Sequence, residues 1–313
     1  MIYRLAHTTT YQYSGTVSLS HHLLRLRPRD LSRQRCLHSE LHIEPRPDVL
    51  CAHRDYFGNA MNFVTIEGSH RRLVITSRSE VEVTAPPPPA PAQSPAWETA
   101  RDISSNGDPD SYLQTREFIY ASPLIKKLPE FGAYAAPSFP SGRPLLEAVL
   151  DLTTRMHADF TFDPDATSVA TPLLEVFQTR RGVCQDFAQL EIAFLRAMGI
   201  AARYISGYLE TEPPPGKPRL AGADASHAWV SFHCPGTGWI DVDPTNNLLV
   251  ANRHITVGWG RDYSDVSPIR GIIIGSGEHS MDVAVDVIPM AESSSFDTAL
   301  MTKRPADSAL PKS

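Results

Sequence analysis

The chain has 313 residues, of which 42% are hydrophobic and 20% are charged, so it has enough apolar sequence for a full core and is not globally disordered. Its formal net charge of −6 excludes the strongly basic surface that nucleic acids and anionic membranes require, and neither is expected as a partner. The N-terminal residues lack the charged and apolar regions of a secretion signal, and no apolar run is long enough to span a bilayer, which predicts a cytoplasmic protein.

Residues 1–84 are predicted to form an all-β domain. Segments rich in Val, Ile, Leu, Tyr and Thr alternate partly with polar residues, and turn residues such as Ser14-Gly15 and Phe57-Gly58-Asn59 separate them. The predicted strands cover 2–13, 17–28, 37–46, 60–66 and 71–83. Short antiparallel strands at this spacing indicate a small sandwich-like domain.

Residues 85–97 are predicted to form a proline-rich linker. Six of the eleven residues from 85 to 95 are proline, which lacks an N–H donor and fixes φ, so this run cannot continue a sheet or a helix. We therefore expect a second domain over 98–290. The residues 291–313, rich in Ser, Asp, Ala and Pro, are predicted to be a disordered tail.

Helical periodicity begins in the second domain and is followed by strand signals. The predicted helices cover 143–158, 172–179 and 184–198. The predicted strands cover 201–209, 227–232, 239–242, 268–274 and 280–288. A proline-rich loop is expected at 212–222, and Pro235-Gly236-Thr237-Gly238 predicts a hairpin turn. Gly199 stands where the third helix should end.

Cys184 is the candidate nucleophile. The chain has four cysteines, at 36, 51, 184 and 234, and none has the CxxC spacing of a metal or redox motif, so reduced thiols are expected. Only Cys184 follows a glycine turn, Gly182-Val183, at the start of a predicted buried helix. The free N–H groups and positive dipole of a helix N-terminus stabilise a thiolate. The alternative is a small apolar core residue.

A histidine and an acid follow across the predicted hairpin. If the turn is centred near Gly236, His227 lies opposite residue 245, and Asp243 is its diagonal neighbour. Asp241 has the same parity and is the alternative acid. An imidazole that accepts a thiol proton, held by a carboxylate that sets its tautomer, would form a thiol acyl-transfer site with Cys184. By itself, such a histidine is more often a structural or surface residue.

Four runs, in this order, resemble the transglutaminase-like core. They are Gly182-Val183-Cys184-Gln185-Asp186-Phe187-Ala188, Met198-Gly199-Ile200-Ala201-Ala202-Arg203-Tyr204, His227-Ala228-Trp229-Val230 and Gly238-Trp239-Ile240-Asp241-Val242-Asp243-Pro244-Thr245-Asn246. Residues 11–29 and 55–59 are similar to the β-rich N-terminal region of the bacterial members, and residues 260–271 to their C-terminal part.

The resemblance implies both a fold and a site. The fold is α+β, a papain-like or transglutaminase-like core in which helices pack on an antiparallel sheet, preceded by an all-β, sandwich-like N-terminal module. Cys184, His227 and Asp243 match the catalytic triad of the family. One oxyanion donor is the N–H of Cys184. The animal enzymes have a tryptophan upstream of the cysteine, which this chain lacks, so Gln178 is a candidate second donor or an ordinary surface glutamine.

The resemblance implies thiol-dependent acyl transfer at amide, peptide or isopeptide bonds. Hydrolysis is favoured, since bacterial proteins of this kind are described as candidate cysteine proteases, and the partner would be a protein or peptide substrate. Amine transfer to protein glutamine is the alternative. A non-catalytic scaffold and a coenzyme A-dependent acyltransferase are further alternatives. Cofactors, including calcium, are not expected, and no oligomeric state is indicated.

A zinc site is the remaining alternative for the same residues. Cys234 could join Cys184, His227 and Asp243 as a fourth ligand, but the spacing is not that of a known zinc motif. A metal would also consume the thiolate that acyl transfer needs. The metal site is therefore the weaker interpretation.

Overall fold

The computed structural model of the protein describes residues 1–85, 87, 89–106, 113, 115–211, 226–275 and 277–290. The predicted loop at 212–222 and the predicted tail at 291–313 lie outside these residues. No helix in the described part of the chain is both long and apolar enough to cross a membrane.

Two large antiparallel sheets and a short parallel pair contain the strands. In chain order the strands are β1 (Ile2–Leu24), β2 (Gln34–Glu44), β3 (Val49–Arg54), β4 (Ala60–Ile66), β5 (His70–Val83), β6 (Thr161–Phe162), β7 (Arg181–Gly182), β8 (Ala202–Leu209), β9 (Ser226–Cys234), β10 (Gly238–Asp243), β11 (Leu248–Leu249), β12 (His254–Gly260), β13 (Ile269–Gly275) and β14 (His279–Pro289). The α-helices are α1 (Trp97–Asn106), α2 (Pro129–Ala135), α3 (Leu145–Asp159), α4 (Leu173–Thr179), α5 (Cys184–Ala197) and α6 (Tyr263–Val266).

The first strand is longer than predicted. The expected turn at Ser14-Gly15 is wrong, because β1 continues for 23 residues, and its register with β5 shifts between Gln12 and Val17. Its first half lies between β5 and β14, and its second half between β4 and β13. The irregularity at 13–16 therefore marks a change of partners. The sequence also missed β3, whose six side chains are all exposed and show no apolar alternation.

The N-terminal module is sandwich-like, as predicted. One buried cluster contains Ile43 of β2 and Leu73 and Ile75 of β5, together with Val64 and Ile66 of β4. These strands flank opposite halves of β1, in the order β2-β5-β1-β4-β3. Because both halves of the sheet share the long strand β1, the two halves can pack face to face and bury this cluster.

The last two strands form where predicted but pair outside the second sheet. β13 and β14 are antiparallel neighbours of β1, so residues 269–289 belong to the N-terminal sheet. Val285 and Val287 pack there with Tyr3, and the same cluster includes Tyr208 and Ile255 of the second sheet. Alternation predicts a strand but not its partner, which is why chain order suggested the second domain.

The second sheet has the order β11-β10-β9-β8-β12, and helix α5 packs on β9 and β8. The three helices predicted from the sequence are present as α3, α4 and α5. Pro144 and Pro172 precede the first helical residues of α3 and α4, and Gly199 adopts φ of 80° directly after α5. This arrangement confirms the predicted α+β core.

Arg196, near the end of α5, is fully buried and connects three segments. Its guanidinium donates to the carbonyl oxygens of Phe118, Ala202 and Arg261, at 2.9, 2.9 and 2.6 Å. The residue therefore holds loop segments to the helix that begins with Cys184.

We expect Arg196→Met to lower the free energy of unfolding by about 3 kcal/mol or more, because it leaves buried carbonyl oxygens without donors. Urea denaturation measures this. The matched control is Arg35→Met, since the Arg35 side chain is 70% exposed and should contribute within about 0.5 kcal/mol. Equal losses in both variants would contradict the structural role of Arg196.

Candidate active site

Cys184 is the first residue of α5, and a hydrogen-bonded turn places it there. The carboxylate of Asp186 accepts from the backbone N–H of Val183 at 2.9 Å and from the Thr167 hydroxyl at 2.6 Å. In return, the Asp186 N–H donates to the Val183 carbonyl oxygen at 2.9 Å. This reciprocal pair caps the helix and leaves the Cys184 thiol at its positive end.

Gly182 is required by the same cap. A Cβ atom at this position would lie 2.6 Å from Oδ2 of Asp186, closer than real side chains approach. Any larger residue would displace either the carboxylate or the turn. The Gly182-Val183-Cys184 sequence thus follows from the geometry of the helix start.

The hairpin brings His227 and Asp243 together in the predicted register. Asp241 pairs with Ser231 and Val242 with Val230, so His227 falls opposite residue 245, as expected from a turn centred near Gly236. Nε2 of His227 lies 2.7 Å from Oδ2 of Asp243. The side chain of Cys184 is close enough to this ring to raise its pKa.

These contacts shift the protonation of His227. Burial lowers its pKa, but the hydrogen bond with Asp243, the neighbouring Cys184 and the negative charges of both groups outweigh burial and raise the pKa from 6.5 to about 10. Burial likewise raises the pKa of Asp243, yet its hydrogen bonds to His227, His254 and Asn246 hold it well below its usual range. An imidazolium–carboxylate pair therefore stands beside the thiol at neutral pH.

Asp243 is completely buried and accepts five hydrogen bonds. Oδ2 accepts from Asn246 Nδ2 at 2.7 Å, from His227, and from His254 Nε2 at 3.0 Å. Oδ1 accepts from the backbone N–H groups of Thr245 and Asn246, at 3.0 and 3.2 Å. The carboxylate is thus held ionised and in one orientation.

His254 is the site residue that sequence reasoning missed. It begins β12, a strand that was not predicted, and its side chain is buried against Trp229 with ring centroids 5.2 Å apart. Its Nδ1 has no hydrogen-bond partner in the described part of the chain. Burial lowers the pKa of His254, more than Asp243 raises it, so a neutral ring donates to Asp243.

The other candidates lie elsewhere. Asp241, the alternative acid, accepts from Arg33 Nη2 at 2.8 Å and from Trp229 Nε1 at 3.3 Å. Gln178 is exposed on α4, so its role as a second oxyanion donor stays a prediction. Cys234 lies seven residues beyond His227 on β9, roughly 23 Å along a strand, too far to share a metal with it.

A different set of donors could hold a metal ion. His227, Asp243 and His254 each offer one ligand atom, all within 4.8 Å of one another, and two imidazoles with one carboxylate suit zinc or iron. The same atoms are already hydrogen-bonded to each other. A metal ion would have to replace those bonds and would occupy the nitrogen that orients His227.

The segment after β12 supports the site from one side. Tyr263 packs edge-on against Tyr204 of β8, with ring centroids 6.2 Å apart. Burial and, next, the charge of Cys184 raise the pKa of Tyr204 well above 10. Asp262 accepts from the Leu124 N–H at 2.9 Å and fixes a neighbouring loop.

Two parts of the chain match known families. Residues 3–82 match the Bacterial transglutaminase-like N-terminal region, and residues 134–244 match the Transglutaminase-like superfamily. An uncharacterized protein of Mycobacterium tuberculosis is 45% identical over 297 residues, which cover 92% of each chain. The protein belongs to the transglutaminase-like superfamily.

Other superfamily relatives share the core or the fold. A protein-glutamine gamma-glutamyltransferase of Pseudomonas aeruginosa is 36% identical over 102 residues, covering 32% of this chain and 15% of that one. A crystal structure of a candidate cysteine protease from Cytophaga hutchinsonii aligns with a TM-score of 0.70 and 19% identity, over 92% of this chain and 91% of that one. The latter shows that the whole fold is shared.

The raised pKa of His227 predicts a pH-dependent stability difference. The pKa of His227 rises from 6.5 to about 10 on folding, so its protonation contributes fully to the free energy of unfolding below pH 6.5. That contribution is lost as the pH rises towards 10. Urea denaturation should therefore give wild type a higher free energy of unfolding than His227→Gln. This difference should shrink as the pH rises from 6.5 to 10. A margin independent of pH over this range would contradict the ion pair.

The contact of His254 with Asp243 predicts a loss of thiol reactivity. We expect His254→Leu to slow alkylation of Cys184 by iodoacetamide about 10- to 100-fold, because a hydrogen bond to a charged group contributes about 1.5–3 kcal/mol. His254→Gln keeps an N–H donor and should restore most of the rate. Mass spectrometry follows each cysteine, and exposed Cys51 is the internal control. Equal rates in the Leu variant and wild type would exclude this role.

Proposed function

We propose that the protein is a thiol-dependent acyl-transfer enzyme that acts on amide bonds of proteins or peptides. Cys184 would be the nucleophile, His227 the acid and base, and Asp243 the residue that orients His227. The observation that supports this most directly is the 2.7 Å contact between His227 and the buried carboxylate of Asp243, in a ring whose pKa the neighbouring Cys184 also raises.

The first half of the proposed reaction forms a thioester. The imidazolium of His227 stabilises the Cys184 thiolate, which attacks the amide carbonyl carbon. The backbone N–H of Cys184 stabilises the resulting oxyanion. His227 then gives its proton to the leaving amine, the C–N bond breaks, and the acyl group remains on Sγ.

The second half releases the acyl group. Water attacks the thioester carbon, neutral His227 accepts the proton of the water, and a carboxylic acid leaves as the Cys184 thiolate and imidazolium re-form. An amine can replace water and yields a new amide. The same three residues thus serve hydrolysis and transamidation, and access of water or amine decides the product.

We favour hydrolysis, which agrees with the description of the Cytophaga protein as a candidate cysteine protease. Amine transfer is the alternative and agrees with the name of the Pseudomonas relative, a protein-glutamine gamma-glutamyltransferase. Mass spectrometry of a glutamine-containing peptide, with and without cadaverine, distinguishes them. Hydrolysis of a backbone peptide bond gives two fragments whose summed mass is greater by one water, and hydrolysis of the glutamine amide replaces its NH2 with OH and releases ammonia. Transfer also releases ammonia but attaches cadaverine to the peptide.

We further propose a cytoplasmic location. The cysteines at 36, 51, 184 and 234 are all unpaired, as is usual in a reducing compartment. Fractionation of cells followed by immunodetection tests this, and recovery of the protein from the periplasm would contradict it.

The mechanism predicts graded losses in three variants. Cys184→Ala should abolish turnover, and His227→Ala should nearly do so, because each removes a reacting group. Asp243→Asn should leave activity about 10²–10⁴-fold lower, since this residue orients and does not react. The measurement is product formation from a peptide library, read by mass spectrometry.

The matched control is Cys51→Ala, which removes an exposed thiol from β3 and should leave turnover unchanged. A non-catalytic scaffold predicts instead that no substrate is turned over and that Cys184→Ala leaves the phenotype intact. Normal turnover in Cys184→Ala would rule out the proposed mechanism.

A further inference from the structure

A cavity of about 790 Å³ lies between the N-terminal residues 31–33, the linker and the second sheet. Arg203 lines it and alternates along β8 with Ala202 and Tyr204, which belong to the core that includes α5. Because neighbouring residues of a strand face opposite sides, the cavity is on the side of the sheet away from α5. Its volume is that of a small-molecule site.

Arg203 has no hydrogen-bonded partner there. Its Cζ atom lies 4.1 Å from the ring centroid of Trp239 and 3.9 Å from that of Trp259, so two indoles enclose the guanidinium. Within the described residues Nε is buried without a partner, and no acceptor is bonded to the guanidinium. The guanidinium thus offers N–H donors that no described residue accepts from.

Positive charges outnumber negative charges around the cavity. Asp241 is the one carboxylate among the described residues that line it, and Arg33 Nη2 already contacts Oδ2 at 2.8 Å. Arg29 lies on Trp259 as well, 3.5 Å from its centroid. Burial lowers the pKa of Arg203 to about 9; Asp241 opposes this effect, and Arg29 and Arg33 add to it. A bound anion would offset this cost.

We propose that this cavity binds a small carboxylate with an apolar body, a site separate from Cys184. A planar carboxylate matches the fork of the Arg203 guanidinium and can accept two parallel hydrogen bonds. The walls that remain are largely apolar, and they include Ile205, Leu249, Val250, Pro87 and Pro89. One unpaired guanidinium suits a single negative charge better than a phosphate dianion, whose second charge would be buried without a partner.

The test is calorimetric titration with hexanoate, and hexanamide serves as a neutral probe of the same shape. A ligand of this size should bind with a Kd of about 1 mM or tighter. The amide should bind at least about tenfold more weakly. Equal affinities, or no binding of hexanoate at about 10 mM, would overturn the proposal.

Variants locate the binding. Arg203→Met should remove the preference for hexanoate over hexanamide, and exposed Arg35→Met should not change it. Because Arg203 stacks between two indoles, its loss can unfold the sheet. Ala251→Trp therefore provides a second variant, since Ala251 is exposed at the cavity and an indole there should block hexanoate while every charge is kept.

A last comparison separates this cavity from the thiol site. Hexanoate should bind equally well before and after complete alkylation of Cys184 with iodoacetamide. Loss of binding on alkylation, or unchanged binding in Ala251→Trp, would show that the carboxylate sits elsewhere and would overturn the assignment.

Discussion

The buried carboxylate of Asp243 is the constraint on which the site depends. An ionised group without solvent needs compensation for its lost hydration, and five donors supply it. These donors come from β9, from β12 and from the turn after β10. The ionised Asp243 is fully compensated only when all three of these segments are in place. The site therefore forms together with the second sheet. His227 gains its orientation from the same arrangement.

Polar contacts also fix the start of α5, where Cys184 lies. Asp186 secures the turn before Cys184, and Gly182 leaves the space in which it does so. Arg196 then fixes the far end of the helix to loops on the other side of the core. Both ends of α5 are therefore determined by polar contacts, while its length is determined by apolar packing.

Local sequence patterns predicted much of this arrangement. A glycine before a cysteine, periodic apolar residues and a turn centred near Gly236 gave the helix start and the register of His227 with Asp243. His254 could not be found in this way, because what defines it is a contact between strands that are not neighbours in the sheet. The partner of β14 was unpredictable because apolar alternation marks a strand but does not show which distant strand it pairs with. The pairing of His227 with Asp243 could be predicted from sequence, but the contact of His254 behind it could not.

The pairing of β13 and β14 with β1 has a consequence for the architecture of the chain. The polypeptide leaves the first sheet after β5 and returns to it at β13, so everything between is inserted into one β-domain. Such an insertion is tethered at both ends to the same rigid body. A fragment cut at the linker would carry two strands whose hydrogen-bonding partners were left behind. The linker is therefore one of two connections between the N-terminal sheet and the inserted part, so cutting the linker alone does not separate them.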